Sequence, residues 1–219
     1  MSQNKISFKS KDFKDWDRRF RANFFNSIGG FKSINLLATQ SEEGLLNVAP
    51  FFSVQHVGAN PPLMSLIFRP HTVERHSLEN LRAQGFATVN AVHKDIVDAA
   101  HQAAASYPRE ISEFEATNLE AEDLGFAVPY VKQARLKFGI KYEEEHAISL
   151  NDTILLIASI HEVYLEESCM LEDGLIDHSL IDTLSVNGLD SYYLPQAFKR
   201  FEYAQPDKPL AEKEWLRKK

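Results

Sequence analysis

The nine residues from Arg69 to Ser77 hold Arg69, His71, Thr72, Arg75, His76 and Ser77 beside one acid, Glu74. Guanidinium, imidazole and hydroxyl groups at that density suit an anion, phosphate above all, held by charge-assisted hydrogen bonds. The same stretch carries helix-start signals. Thr72 or Ser77 can serve as the capping hydroxyl, and Leu78 and Leu81, with Phe86 beyond, give an apolar face at helical spacing. A helix N-terminus there would add unpaired N–H groups and the positive end of the dipole. A solvated turn with basic residues has the same composition, so the neighbouring residues must separate the two readings.

Those neighbours are apolar. Leu63 to Phe68 follows a Pro61-Pro62 turn and has the length and composition of a buried strand. Before it comes Asn47-Val48-Ala49-Pro50-Phe51-Phe52-Ser53, in which Pro50 deletes a backbone donor and fixes its own φ. Regular sheet pairing is therefore expected to be interrupted there. An apolar slot edged by backbone amides beside a cationic pocket suits a flat aromatic ligand with a phosphate tail.

The order and spacing of these motifs resemble those of the flavin reductase-like proteins. That family combines an Asn/Ser-x-Ala-Pro-Phe/Tyr-Ser element, a Pro-Pro turn, an apolar strand and a Lys/Arg-Asp-Thr-x-x-Asn-Ile element. The chain has Asn47 to Ser53, Asn60-Pro61-Pro62, and Arg75-His76-Ser77-Leu78-Glu79-Asn80-Leu81. Phe86-Ala87-Thr88-Val89-Asn90 resembles the family's Phe-Val-Val-Asn strand, Ser112 to Ala116 its Glu-Phe-Glu segment, and Val186 to Tyr193 its closing Gly-Gly-x-x-Tyr element. It departs from the pattern at His76 (often Asp), Ser77 (Thr), Asn118 (Gly) and Asn187 (Gly). The resemblance covers residues 33 to about 193. It implies an FMN-binding split β-barrel, usually a homodimer, that moves hydride from NADH or NADPH to flavin.

By that resemblance FMN lies along Asn47, Val48, Ala49, Pro50, Phe51 and Ser53 and along Phe68-Arg69, with Arg69, Thr72, Arg75, His76 and Ser77 at its phosphate. No catalytic acid or base is assigned, since orientation and charge placement are what hydride transfer asks of a protein. Two alternatives stay open: a flavin-dependent oxidase or oxygenase on the same barrel, and a non-enzymatic flavin carrier or partner subunit.

The remaining elements must position this stretch. Residues 11 to 26 place Phe13, Trp16, Phe20 and Phe24 on one stripe, which predicts a helix capped by Ser10 that packs on the barrel or on a partner subunit. Strands are expected at Ser33 to Thr39, hairpinned to Leu45-Leu46-Asn47, and at Phe86 to Val92, Val128 to Lys141 and Thr153 to Leu165, the last bent by a bulge. Lys94 to Ala105 reads as a helix ended by Tyr107-Pro108. The acidic segment 111–128 reads as irregular with short helical pieces, and Glu143-Glu144-Glu145 as a solvated face or loop. His93 and His101 stand two helical turns apart, too far for shared ligation, and His161-Glu162 point to opposite faces of a strand, so no metal or catalytic pair is assigned to them.

Many short strands without a repeated βαβ pattern argue for a mainly β barrel with a few helices. Three regions follow: a lead-in with an amphipathic helix over 1–32, the barrel over 33–193 and a charged arm over 194–219. There is no Gly-x-Gly-x-x-Gly or phosphate-loop motif, so a nicotinamide cofactor would dock loosely over exposed flavin.

The 219 residues carry a net charge of -7, which argues against nucleic acid or an anionic membrane surface as partner. The single cysteine, Cys169, excludes an internal disulfide and fits a reducing cytosol. Met1 to Lys5 lacks the apolar core of a signal peptide, and no run approaches a membrane span, so a cytoplasmic protein is expected.

Overall fold

The computed structural model describes residues 5–70 and 75–217. In chain order the elements are α1 (Arg18–Ser27), β1 (Lys32–Ser33), β2 (Asn35–Gln40), β3 (Leu46–Phe51), β4 (Val54–Ala59), β5 (Pro62–Phe68), α2 (His76–Gln84) and β6 (Phe86–Ala91). They continue with α3 (Val97–Gln102), α4 (Glu113–Ala116), β7 (Ala121–Glu122), β8 (Tyr130–Val131), β9 (Leu136–Ile148), β10 (Thr153–Leu165), β11 (Ser185–Asn187) and β12 (Ser191–Tyr193). Seven strands form one antiparallel sheet in the order β3-β2-β6-β9-β10-β5-β4.

This mainly β architecture is the one the strand pattern predicts, and the split barrel is what the family resemblance implies. The bend expected in β10 is present as register shifts against β9 at Ile157/Ala158 and Ile160/Glu162. β9 runs on through Glu143-Glu144-Glu145, with Glu143 and Glu144 exposed, so of the two readings the acidic triplet is a solvated strand face and not a loop.

Strand β2 is buried on both faces, which divides the core. Leu37 joins Leu66, Phe68, Leu78, Leu81, Ile140 and Leu156 on one side, while Leu36 and Ala38 join Val48, Phe114, Val131 and Val186 on the other. Polar groups at this double-faced center are fully engaged. Asn90 Nδ2 donates to Leu36 O (3.1 Å) and Thr88 Oγ1 (3.1 Å), and Asn90 Oδ1 accepts from Val131 N–H (2.9 Å). His93 accepts at Nδ1 from Asp95 N–H and lies 2.9 Å from Gln133 O through Nε2, while His101 contacts the Tyr192 hydroxyl at 2.7 Å. Glu162 accepts from the buried Tyr130 hydroxyl at 2.6 Å. Each of these histidines and this glutamate thus ties strands and loops together.

The interior leaves no room above β9. A Cβ at Gly139 would stand 2.8 Å from both the Phe126 ring and the Tyr130 oxygen, which Glu162 holds in place. Gly139→Ala is therefore expected to cost about 1–3 kcal/mol by overpacking, read as a lower urea midpoint with an unchanged m-value.

Four local expectations are corrected. The N-terminal helix does not run from residue 11: Asp12–Asp15 form one 3-10 turn, Trp16 is extended (ψ 141°), and α1 starts after Asp17, whose carboxylate caps Arg19 and Phe20 N–H at 2.9 and 3.0 Å. Ser10 caps nothing there because Asp17 offers an acidic cap one residue before the helix. Phe8, Trp16, Phe20 and Phe24 form the aromatic cluster through this break, and no residue of α1 is buried. The predicted helix from Lys94 is a 3-10 turn followed by the short α3, which ends at Gln102, well before Pro108.

Pairing is also not interrupted at Pro50, which sits opposite Leu36 within β3. β3 is an edge strand, and a proline fits an edge when its missing N–H faces away from the neighbor. Finally, α2 is capped at Arg75 with no side-chain cap, so Ser77 is not the capping hydroxyl; its side chain is turned to β3 instead.

The arm beyond Tyr193 folds back on the body. Asp173 receives Arg200 at 2.5 Å and Lys213 at 2.7 Å, the pair of cations holding its carboxyl well below the usual range, and Glu172 N–H donates to Leu216 O.

Candidate functional site

The site forms where the free edge of β3 meets the N-terminal turn of α2. Because Pro50 has no N–H, the Pro50–Leu36 pair is a non-hydrogen-bonded one, and Val48–Ala38 shares that character two residues earlier. Main-chain groups of Val48 and Pro50 thus face outward, while those of Asn47, Ala49 and Phe51 pair with β2. Val48 confirms this: its N–H donates not to β2 but to Glu113 Oε2, at 3.1 Å.

Helix α2 is fixed by two buried polar bonds, one to this edge and one to β2 behind it. Asn47 Nδ2 donates to Ser77 Oγ (2.9 Å), and Asn80 Nδ2 donates to Thr39 Oγ1 (3.2 Å). Leu78 and Leu81 drive the opposite face of the helix into the core, and Gly85 in the left-handed region (φ 77°) ends it. Two predicted residues, Asn47 and Ser77, are therefore in direct contact across 30 residues of sequence.

At the turn, Arg75 N–H reaches Glu79 Oε1 (3.4 Å), and Glu79 Oε2 accepts from Arg109 (2.9 Å), which ties the 109–113 segment to α2. The Nε atom of Arg75 is buried without a hydrogen-bond partner among the described residues. A donor held that way costs stability unless an acceptor arrives. A shallow cleft of about 10 Å³, open to solvent, lies between Ser41, Asn47, His76, Asn80, Arg109 and Glu113. It is far smaller than a flavin, which would have to lie along the surface beside it.

The other predicted residues fall along the same face with different roles. Phe51 stacks at a tilt on Phe68 (4.8 Å), which is in the core. Ser53 Oγ donates to Ile67 O at 2.9 Å and so clamps β5 where β3 hands over to β4. Arg69 is exposed; burial holds down the pKa of Lys32, and the field of Arg69 adds to it. Lys32 Nζ stands 5.8 Å over the Phe52 ring and donates to Asn26 O and Gly188 O. Thr72 and His71, both named from the sequence, lie outside the described residues.

Glu113 and Lys32 were not among the residues picked from sequence as ligand-binding. Glu113 is only 8% exposed, and burial pushes its carboxyl up while the Val48 N–H and the His76 field draw it down. Its membership in the Glu-Phe-Glu segment was the one available signal.

This arrangement is an outward strand edge beside a basic helix start, on a split barrel. Comparison with known proteins places it. The flavin reductase like domain model matches residues 29–179, so the chain belongs to the flavin reductase-like family. A split-barrel protein of Shewanella frigidimarina described as a flavin reductase is 41% identical and superposes with a TM-score of 0.88 over 91% of this chain and 100% of the other. Component B of nitrilotriacetate monooxygenase from Bacillus cereus shares the fold at 22% identity, with a TM-score of 0.77 over 90% of this chain and 100% of that one. Among curated relatives, YwrF of Bacillus subtilis is 29% identical over 59% of this chain, a match that spans 63% of the relative's length. Membership of this family makes the chain a flavin-related oxidoreductase at the family level.

Proposed function

We propose that the chain binds FMN along the Asn47–Ser53 edge, with the phosphate at the α2 turn, and reduces it with NADH or NADPH as a cytoplasmic homodimer. Residues 33–193 would form the flavin-binding unit, with 1–32 and 194–219 as additions to it. The observation that carries the reading is the buried Nε of Arg75, without a hydrogen-bond partner among the described residues, at the start of a helix that Asn47 ties to β3 and Asn80 ties to β2.

The donor set fits the group. Arg75 and Arg69 supply charge and guanidinium forks for phosphate, and Val48 supplies outward main-chain groups for a ring edge. Bound flavin would supply the acceptor for a hydride from the nicotinamide. The protein's part is then to hold the ring by one edge, leave a face open to the donor and keep a positive field at the far end.

Titration of the purified protein with FMN, followed by flavin fluorescence quenching, tests binding, and anaerobic NADH or NADPH then tests reduction. Quenching with bleaching of the flavin bands is expected. Quenching without bleaching by either donor would favor a carrier, and no quenching would overturn the assignment.

A further inference from the structure

We infer that Glu113 is an internal stand-in for the flavin ring, occupying the one outward main-chain donor of the ledge until a ligand carbonyl displaces it. This rests on the flavin site proposed above.

Between Asn47 and Phe51 the outward residues of β3 are Val48 and Pro50, and Pro50 has no N–H to give. The Val48 N–H is thus the sole outward donor of that stretch, and Glu113 Oε2 already accepts it at 3.1 Å. A ring edge carrying a carbonyl beside an N–H, as the pyrimidine end of a flavin does, needs that donor together with an outward strand carbonyl.

The position of Glu113 suits displacement. Its carboxylate is buried, makes no ion pair with a described residue, and is met by main-chain N–H groups alone, its own and that of Val48; burial outweighs them and disfavors charge. α4, which carries it, is only four residues long, and Arg109 and Ile111 just before it are exposed. Moving the carboxylate to water regains its hydration while Val48 exchanges one acceptor for another, so removing the carboxylate should favor the ligand.

The experiment compares wild type, Glu113→Gln and Glu113→Ala in titrations with FMN and with lumiflavin, which has the ring but no phosphate. Circular dichroism and thermal melting run alongside. Both variants are expected to bind both ligands tighter, Glu113→Ala by at least about 5-fold and Glu113→Gln by less, because its amide oxygen still accepts from Val48.

Unchanged or weaker lumiflavin binding by a folded variant overturns the inference. Tightening for FMN alone also overturns it, since that reports relief of charge repulsion and not a freed donor. If Glu113→Ala fails to fold, Glu113→Gln alone decides. Wild type that binds neither ligand instead sinks the flavin site itself.

Discussion

Replacing Arg75 by alanine is expected to weaken FMN about 10- to 100-fold and to leave riboflavin binding where it was. A hydrogen bond to a charged group contributes about 1.5–3 kcal/mol, and about 1.4 kcal/mol corresponds to a factor of ten. The substitution is clean because the helix cap does not need the side chain. Leu78 and Glu79 N–H donate to the Arg75 main-chain oxygen, at 2.8 and 3.0 Å, and these bonds survive in alanine. Ser77→Ala would be a poorer probe. The Ser77 hydroxyl accepts from Asn47, so its loss would loosen the ring-edge strand as well as the turn. Arg75→Lys should fall between wild type and alanine, since it keeps the charge but not the fork. Equal losses for FMN and riboflavin would mean that the guanidinium supports the turn and reads no phosphate.

The strands and the helix after the basic cluster were legible because alternation and apolar spacing are local. Phe86 to Val92 and Thr153 to Leu165 carry branched residues at strand period, and Leu78 and Leu81 mark the buried stripe of α2. What failed depended on partners distant in sequence. Pro50 reads as a break until β3 is known to be an edge, a fact set by which strands lie beside it. Ser77 has the chemistry of a cap, yet the cap position falls at Arg75 and the hydroxyl is used by Asn47, 30 residues away. The N-terminal stripe was read as one helix because a cluster of rings at spacings of three and four looks the same when a two-residue break, Trp16 and Asp17, folds two short pieces together. Glu113 was hidden for the same reason, since its partner is a main-chain N–H 65 residues earlier.

Leu78→Ala is expected to destabilize the fold by about 2–5 kcal/mol. Leu78 is fully buried against Leu37, Leu66, Phe68 and Leu81, and its loss leaves a cavity where α2 crosses the barrel wall. For a chain of this size the fall in melting temperature is about 2–4 °C per kcal/mol. Leu81→Ala, equally buried one turn later, should cost a similar amount and so serves as the control.

The two should part when FMN is added. A ligand at 100 times its Kd stabilizes the folded state by about 2.7 kcal/mol, and a variant gains that amount only if its site is intact. Leu78 adjoins Ser77 and pins the turn that carries Arg75, whereas Leu81 sits beyond Asn80 on the next turn. At one FMN concentration, set at 100 times the wild-type Kd, Leu81→Ala should therefore recover nearly the wild-type increment and Leu78→Ala distinctly less. Equal increments would show that the cationic corner keeps its shape without that anchor, and would move the burden of positioning it onto the Asn47–Ser77 and Asn80–Thr39 bonds.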